Sequence, residues 1–521
     1  MAESERVELA AAFPHRGAMR GPGGCVAADH PLAAGAGLRV LQDGGSAADA
    51  IVAMGSIMTV VQPQYSHLGG DAFAMVYGAG DGTVEALNSS GPAPRALDPE
   101  GYRRLGTIPL DGALAVTVPG CVDAWWKLHQ RHGRLPWATL FTGAIDLAAR
   151  GFPASRGLAR AIPLGRRRVQ PGDYFNRVFG HVAPGGGQPV VQPELARTLT
   201  AIQAGGAAAF YEDEVANACI RALADGGAKF SNHAWQPPGR WETPLAVPFL
   251  GSIVHTQPPP SRGLVLMLAL QAYGTNHPPG AAAAPVGAFH AIEEAFAVVD
   301  THAGDPGVTG FDAAAMLAGR ATSPPLAAPA GRSDGDTTYM LAIDREGNAV
   351  SFIQSVFSQW GSGVFIADAG VLMNNRMRGF TLQPGHPNEI APAKRPMHTL
   401  HSYLVSTAAP APRLLAAGGT PGAHRQPQTN VQVLDHVLRE DMDPQDALDA
   451  PRWSRSETSA GVDVEQRHLD SLCDTFREAG IPTAAIEAWH GQMGRSYLAV
   501  VEEHGVAAAA DLRGEGAALV F

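Results

Sequence analysis

Two apolar, β-branched runs, Thr338–Ile343 and Ala349–Phe357, flank the turn-forming Asp344-Arg-Glu-Gly-Asn348, and a loop rich in Gly, Pro and Ala, Thr322–Gly335, precedes them. That pattern commits the stretch to a β-hairpin that starts abruptly after an exposed segment. A three-residue loop of Arg345, Glu346 and Gly347, with the glycine left-handed, pairs Asp344 with Asn348. Stepping the register back from that pair sets Thr337 opposite Ser355, so two hydroxyls face each other at the open end of the hairpin.

A threonine at a chain terminus supplies nucleophile and base together, because its free α-amine lies beside its own hydroxyl. Cleavage between Asp336 and Thr337 creates both groups at once. Taken alone, Thr337-Thr338 reads more simply as the ordinary opening of a strand, where threonine is common. Distant parts of the chain decide between the two readings.

Those parts resemble the γ-glutamyltransferase family of N-terminal nucleophile hydrolases. Val26–Ala34 and Val40–Val52 are similar to that family's opening strand and first helix. Val61-Gln-Pro-Gln64, Leu68-Gly-Gly-Asp-Ala-Phe73, Val118-Pro-Gly120, Gly151-Phe-Pro153 and Pro258–Gly263 follow in order. After Thr337 the resemblance continues through Asp344–Val350, Gly361-Ser-Gly363, Lys394-Arg-Pro396 and Gly419-Thr-Pro-Gly422. Each string is weak by itself; their order and spacing over nearly the whole chain carry the match. The resemblance implies an α/β (α+β) fold, a four-layer αββα sandwich formed by two interlocked fragments of one self-cleaved precursor. Residues 1–336 are then a larger, helix-rich fragment, and residues 337–521 a smaller, strand-rich one.

Residue by residue, the resemblance makes Thr337 the nucleophile, Ser355 its supporting hydroxyl, and Gly422 and Ala423 the backbone N–H donors to the oxyanion. Alanine keeps the donor but is less free in conformation than glycine. The positions that hold a glutamyl group differ. Ser90 stands where an arginine for the α-carboxylate is expected, Phe357, Arg376 and Gly379 occupy the amine-binding positions, and His398-Thr399 replaces a serine pair. An α-ammonium gains no carboxylate partner from these residues and meets Arg376, whereas a guanidinium suits the carboxylate of a small acid. The competing reading of Arg376 is an arginine in solvent or paired with a structural acid. Tyr339 shares strand parity with Thr337, which places it in the pocket wall or in the core. The substrate-binding candidates are therefore Arg376, Tyr339, His398, Thr399 and Ser90.

Gly335-Asp-Thr337, Ser351–Ser355, Arg395–Leu400 and Gln426-Pro-Gln428 resemble a branch of the family that includes oxamate amidohydrolases and cephalosporin-acylase-like proteins. The function this implies is a self-processing amidohydrolase converting oxamate to oxalate and ammonia through an acyl-Thr337 intermediate, with hydrolysis favoured over transfer. Two alternatives stay within the chemistry: a hydrolase or transferase for γ-glutamyl or β-lactam side-chain amides, and an oxalyl carbon–carbon hydrolase. A third, from another class, is a self-processed protein with a structural or binding role.

Composition narrows the partners. A net charge of −11 without a long basic run disfavours nucleic acid and anionic membranes. Four scattered cysteines lack Cys-x-x-Cys spacing, so neither a disulfide framework nor a zinc site is indicated. His398 and His401 have no nearby carboxylate at metal-ligand spacing, Gly35-Ala-Gly37 and Gly78–Gly82 read as turns rather than nucleotide loops, and no Gly-x-Ser-x-Gly elbow occurs. Neither metal nor cofactor is expected. The first ten residues lack a basic segment followed by an apolar run, and no stretch approaches the roughly 20 apolar residues that span a bilayer. The expected location is the cytoplasm. The expected partners are a small-molecule acid amide and the complementary fragment, with two heterodimers free to associate as a heterotetramer.

Overall fold

Strands that are apolar on both faces need cover on both sides, and this chain supplies it with a second sheet on one face and helices on the other. The computed structural model describes residues 16–169, 173–279, 281, 284–319, 337–456, 461–467 and 470–521. Asp336 and the loop Thr322–Gly335 lie outside the described residues.

The main strands are β1 (Met19–Gly21), β2 (Cys25–Ala28), β3 (Asp71–Gly78), β4 (Thr83–Ser89), β5 (Arg240–Glu242), β6 (Leu245–Phe249), β7 (Ser252–Thr256), β8 (Thr338–Ile343), β9 (Ala349–Ser355), β10 (Ser402–Thr407), β11 (Leu414–Gly419), β12 (Tyr497–Glu502), β13 (Gly505–Ala510) and β14 (Ala517–Val520). They form two seven-stranded sheets, one in the order β14-β2-β8-β9-β3-β4-β5 and the other β1-β13-β12-β11-β10-β7-β6. Strands β1–β7 precede Thr337 and β8–β14 follow it, and each sheet draws on both parts.

Side chains alternate as the pleat requires. Tyr339, Leu341, Ile353 and Phe73 meet Leu404, Ala417 and Tyr497 of the other sheet. Their neighbours Met340, Ala342, Phe352 and Ala74 pack instead on α1 (Pro31–Gln42), α2 (Ala47–Val61) and α3 (Cys121–His132). Helices α4 (Gly263–Asn276), α5 (Pro285–His302) and α6 (Gln426–Leu438) cover the outer face of the second sheet. The layers are thus αββα. Helix α2 is buried on every side and starts at a capping box between Ser46 and Asp49, as befits a helix apolar all round.

The hairpin has the expected register. Pairs run from Thr338–Gln354 to Ile343–Ala349, the Asp344 N–H donates to the Asn348 carbonyl at 2.9 Å, and Gly347 sits at φ 85°. Strand β9 ends at Ser355 rather than Phe357, because Phe357 turns to φ 80° and breaks the ladder. After α3 come a 3₁₀ turn, Trp137–Phe141, and a short helix, Thr142–Arg150. Gly35-Ala-Gly37 is not a turn but part of α1. A Cβ on Gly37 would lie 2.7 Å from the Met54 sulfur, so glycine there lets α1 and α2 approach closely.

Candidate active site

The sheet register alone brings Thr337, Ser355 and Ser90 together. Ser355 pairs with Asp71 across β9 and β3. Thr337 stands one rung beyond the Thr338–Gln354 pair, opposite Ser355, and Ser90 stands one rung beyond Ser89, beside Asp71. Thr337, Ser355, Asp71 and Ser90 therefore form one lateral row with side chains on the same face. That face looks toward the second sheet, because Tyr339, Ile353 and Phe73, two residues along, lie in the inter-sheet core. At about 4.8 Å between strands, Thr337 and Asp71 are roughly 10 Å apart. All four residues are buried, and the Ser355 hydroxyl accepts the Phe357 N–H at 2.8 Å.

The second sheet contributes the turn that leaves β11. Gly422 has φ 142° and Ala423 φ 52°. Among the described residues neither backbone N–H has an acceptor. Thr420 anchors the turn by donating to Asn430 and hydrogen bonding Ser496, both at 2.7 Å. The left-handed Ala423 costs about 1 kcal/mol that glycine avoids. Ala423→Gly is therefore expected to stabilise the protein by roughly 0.5–1 kcal/mol, read as a raised denaturation midpoint, with turnover nearly unchanged because the donor is kept.

Arg376 is fully buried and reaches this row. Its Nε donates to Asp71 Oδ2 at 3.0 Å, its guanidinium carbon lies 4.5 Å from the Phe357 ring centroid, and among the described residues neither Nη has a hydrogen-bond partner. Asp71 also accepts the Gly91 N–H at 3.1 Å. Burial pushes the Asp71 carboxyl up to about 6, with Arg376 and the Gly91 N–H pulling against it. Burial likewise lowers Arg376, with Asp71 opposing, yet an arginine keeps its charge in a protein. A buried cation with two unused donor nitrogens has the chemistry to take an anion, since such donors are costly to leave unmade.

His398 lies beside it. The ring is buried against Phe73 at 5.1 Å between centroids, and neither ring nitrogen has a partner among the described residues. Burial first, then the charges of Arg376 and Arg395, hold the imidazole well below its ordinary range, so it is neutral. Arg395 donates to the carbonyls of Ser90 and Pro238 at 2.9 and 3.0 Å.

Not every candidate presents itself to this space. The Ser90 hydroxyl is spent on Asn88 Oδ1 at 2.7 Å. Tyr339 is a core residue and not a pocket wall: its hydroxyl bonds Ser351 at 2.5 Å and its ring stacks on Tyr497, because strand parity fixes the face but not the depth along it. Thr399 is buried, with its carbonyl 3.3 Å from His401 Nδ1. The expectation that an ammonium finds no carboxylate here is corrected by Asp71, which sits against Arg376. Asp71 lay within a quoted motif, and a lone carboxylate opening an apolar strand was the signal for a buried pair. Asp29 and Arg495 were also missed: Arg495 Nη2 donates to the Thr337 carbonyl at 3.0 Å and to Asp29 at 3.2 Å. No sequence pattern pairs residues so far apart.

Known proteins share both the sequence and this architecture. An oxamate amidohydrolase proenzyme of Klebsiella pneumoniae is 32% identical, over 95% of this chain and 98% of its own. A glutathione hydrolase-like proenzyme of Bacillus subtilis, YwrD, is also 32% identical with the same coverage. The crystal structure of a cephalosporin acylase from Bacillus halodurans superposes with a TM-score of 0.88 at 28% identity, covering 98% of each chain. The sequence profile of the gamma-glutamyltranspeptidases matches residues 33–521. On both counts, this chain belongs to the gamma-glutamyltranspeptidase family, with its N-terminal nucleophile hydrolase fold.

Proposed function

We propose that this enzyme is a self-cleaving amidohydrolase whose substrate is a short amide bearing a free carboxylate, with oxamate as the best single candidate. The observation that carries this reading is the buried Arg376, which bonds Asp71 in the row that holds Thr337 and Ser355 and whose two Nη groups have no hydrogen-bond partner among the described residues. A span of roughly 10 Å between the Thr337 and Asp71 backbones, partly filled by side chains, suits a short acyl group.

In this reading the Thr337 hydroxyl first attacks the Asp336 carbonyl carbon, the bond to the Thr337 nitrogen breaks, and water hydrolyses the resulting ester. The Thr337 amine is thereby freed. In turnover that amine takes the hydroxyl proton as Oγ attacks the substrate's amide carbon. The Gly422 and Ala423 N–H groups hold the oxyanion. The amine returns the proton to the leaving ammonia, and water then releases the acid from Thr337 Oγ.

Asp71 favours a second reading. A guanidinium beside a carboxylate also complements an α-amino acid, with Arg376 taking the carboxylate and Asp71 the ammonium, so a γ-glutamyl amide such as glutathione is the competing substrate. Intact mass after purification, followed by ammonia release from oxamate and glutamate release from glutathione, tests both. Fragments starting at Met1 and Thr337 with ammonia release support the first reading; glutamate release alone replaces it with the second. Arg376→Gln is expected to raise KM for oxamate about tenfold or more and to leave KM for the neutral diamide, oxamide, nearly unchanged, since a charged hydrogen bond contributes about 1.5–3 kcal/mol. An unchanged KM for oxamate removes Arg376 from the site.

A further inference from the structure

Arg495, two residues before β12, connects three parts of the site that are far apart in sequence. Its Nη2 donates to the Thr337 carbonyl at 3.0 Å, and its Nε and Nη2 donate to the two oxygens of Asp29, each at 3.2 Å. Its backbone N–H donates to the carbonyl of Pro421, the residue before the Gly422-Ala423 turn, at 3.2 Å. Asp29 follows β2 and is further fixed by the Tyr497 hydroxyl at 2.5 Å. The guanidinium carbon lies 5.0 Å from the Tyr65 ring centroid. One residue thus ties the nucleophile's strand, through its side chain, to the oxyanion turn, through its backbone, and its partner acid comes from a third segment.

The contact to the Thr337 carbonyl also has an electrostatic consequence. Nitrogen and carbonyl oxygen of one residue are separated by three bonds, so the guanidinium lies within roughly 6–7 Å of the Thr337 nitrogen. A like charge at that range disfavours an ammonium, and a carboxylate favours it. Several other groups surround the row: Asp71 on β3, Arg376 beyond β9, His398 before β10, Tyr65 after α2, His30 at the start of α1 and Tyr497 on β12. His398 is neutral, burial holds His30 down to about 4, and Tyr497 is pushed far above its ordinary value, by burial foremost, so it stays un-ionised at working pH. Arg376 and Asp71 offset one another as a pair. The Arg495–Asp29 pair touches Thr337 itself, through Arg495 Nη2 on the Thr337 carbonyl.

We propose that Arg495 is a positioning residue that aligns Thr337 with the Gly422-Ala423 turn and keeps the Thr337 amine in its free-base form, with Asp29 setting the strength of that effect. This rests on the reading of Thr337 as an N-terminal nucleophile. It requires that removing either member of the pair moves the titration of the amine, and in opposite directions. Loss of Arg495 leaves Asp29 to favour the ammonium. Loss of the Asp29 charge removes its opposition to the guanidinium.

The test is the rate of carbamoylation of the Thr337 amine by cyanate against pH, read by mass on the N-terminal peptide of the smaller fragment and independent of any substrate. From a reference near 7.7–8.0 for an α-amine, Arg495→Gln is expected to raise the midpoint by about one pH unit relative to the parent, Asp29→Asn to lower it, and Arg495→Lys to leave it close to the parent. The acid limb of kcat/KM should move with it. Midpoints unmoved in both variants, or moved in the same direction, overturn the proposal, because a merely structural role changes yield and turnover without this pattern. Where Arg495→Gln stays uncleaved, Asp29→Asn and Arg495→Lys decide: a lowered midpoint in the first with an unchanged one in the second supports it, and any other pair overturns it. A parent protein that remains a single chain overturns the nucleophile reading itself, a result distinct from a cleaved parent whose amine ignores Arg495.

Discussion

Thr337→Ala is expected to purify as one uncleaved chain close to the parent's 54.3 kDa and to lose at least ~10⁴-fold in turnover. The proposed acyl shift and the proposed amide attack use the same oxygen, so one substitution removes both. The proposed oxyanion donors at Gly422 and Ala423 and the proposed Arg376 site remain, which is why substrate binding is expected to survive where chemistry does not. Thr337→Ser keeps the oxygen and is expected to cleave and turn over, more slowly. Denaturing gel mobility and intact mass check the first expectation, and ammonia release the second. Two fragments from the alanine variant would assign the cut to another agent.

Asp511→Asn is expected to cost about 3–5 kcal/mol of stability, because it breaks a fully buried ion network from one side. Asp511 pairs with Arg452 at 2.6 Å and Arg513 at 3.1 Å. Glu465 accepts from Arg513 Nε at 2.7 Å and Arg467 at 2.8 Å. The Trp489 ring lies 3.6 Å from the Arg467 guanidinium carbon and 5.3 Å from that of Arg513. Removing the Asp511 charge leaves three buried arginines, Arg452, Arg467 and Arg513, with Glu465 as the remaining acid of the network. Burial pushes both acids up, but Arg452 and Arg513 for Asp511, and Arg513, Arg467 and Arg452 for Glu465, outweigh it and hold them below their ordinary values. Acids held down in the folded state contribute stability at neutral pH that is lost as pH falls through the folded values. The parent should therefore lose stability below about pH 4 more steeply than Asp511→Asn does. Urea titrations of the uncleaved Thr337→Ala form, where unfolding stays unimolecular, measure both effects; equal midpoints for the two chains at pH 7 would contradict the network's role.

Local rules made part of the site legible. The hairpin loop fixed the register, the register put Thr337 opposite Ser355, and the same period-2 logic aligns Asp71 and Ser90 once the neighbouring strands are known. The neighbouring strands were not legible, because pairing β9 with β3 and β8 with β2 is a tertiary choice that hairpin patterns do not encode. For the same reason Asp71 with Arg376, and Asp29 with Arg495, emerge only in three dimensions. Tyr339 was ambiguous because parity says which face a residue takes and nothing about where the cavity ends and the core begins. Helix α1 was obscured by Gly35 and Gly37, which weaken helical patterning in sequence but serve a close helix–helix contact in the fold.

Both sheets combine strands from before and after Thr337. In the first sheet β8 and β9 lie in the interior, flanked by β2 on one side and β3 on the other. A cut at Thr337 then leaves two polypeptides that cannot part by a simple undocking step, since every route to separation strips hydrogen-bonded ladders on both sides of the hairpin. Folding before the cut is intramolecular, whereas reassembly after full denaturation is bimolecular and concentration-dependent. The mature protein would thus owe its persistence to a slow rate of escape as much as to an equilibrium, and its half-life under heat would depend on an order of events, folding first and scission second, that the finished molecule cannot repeat.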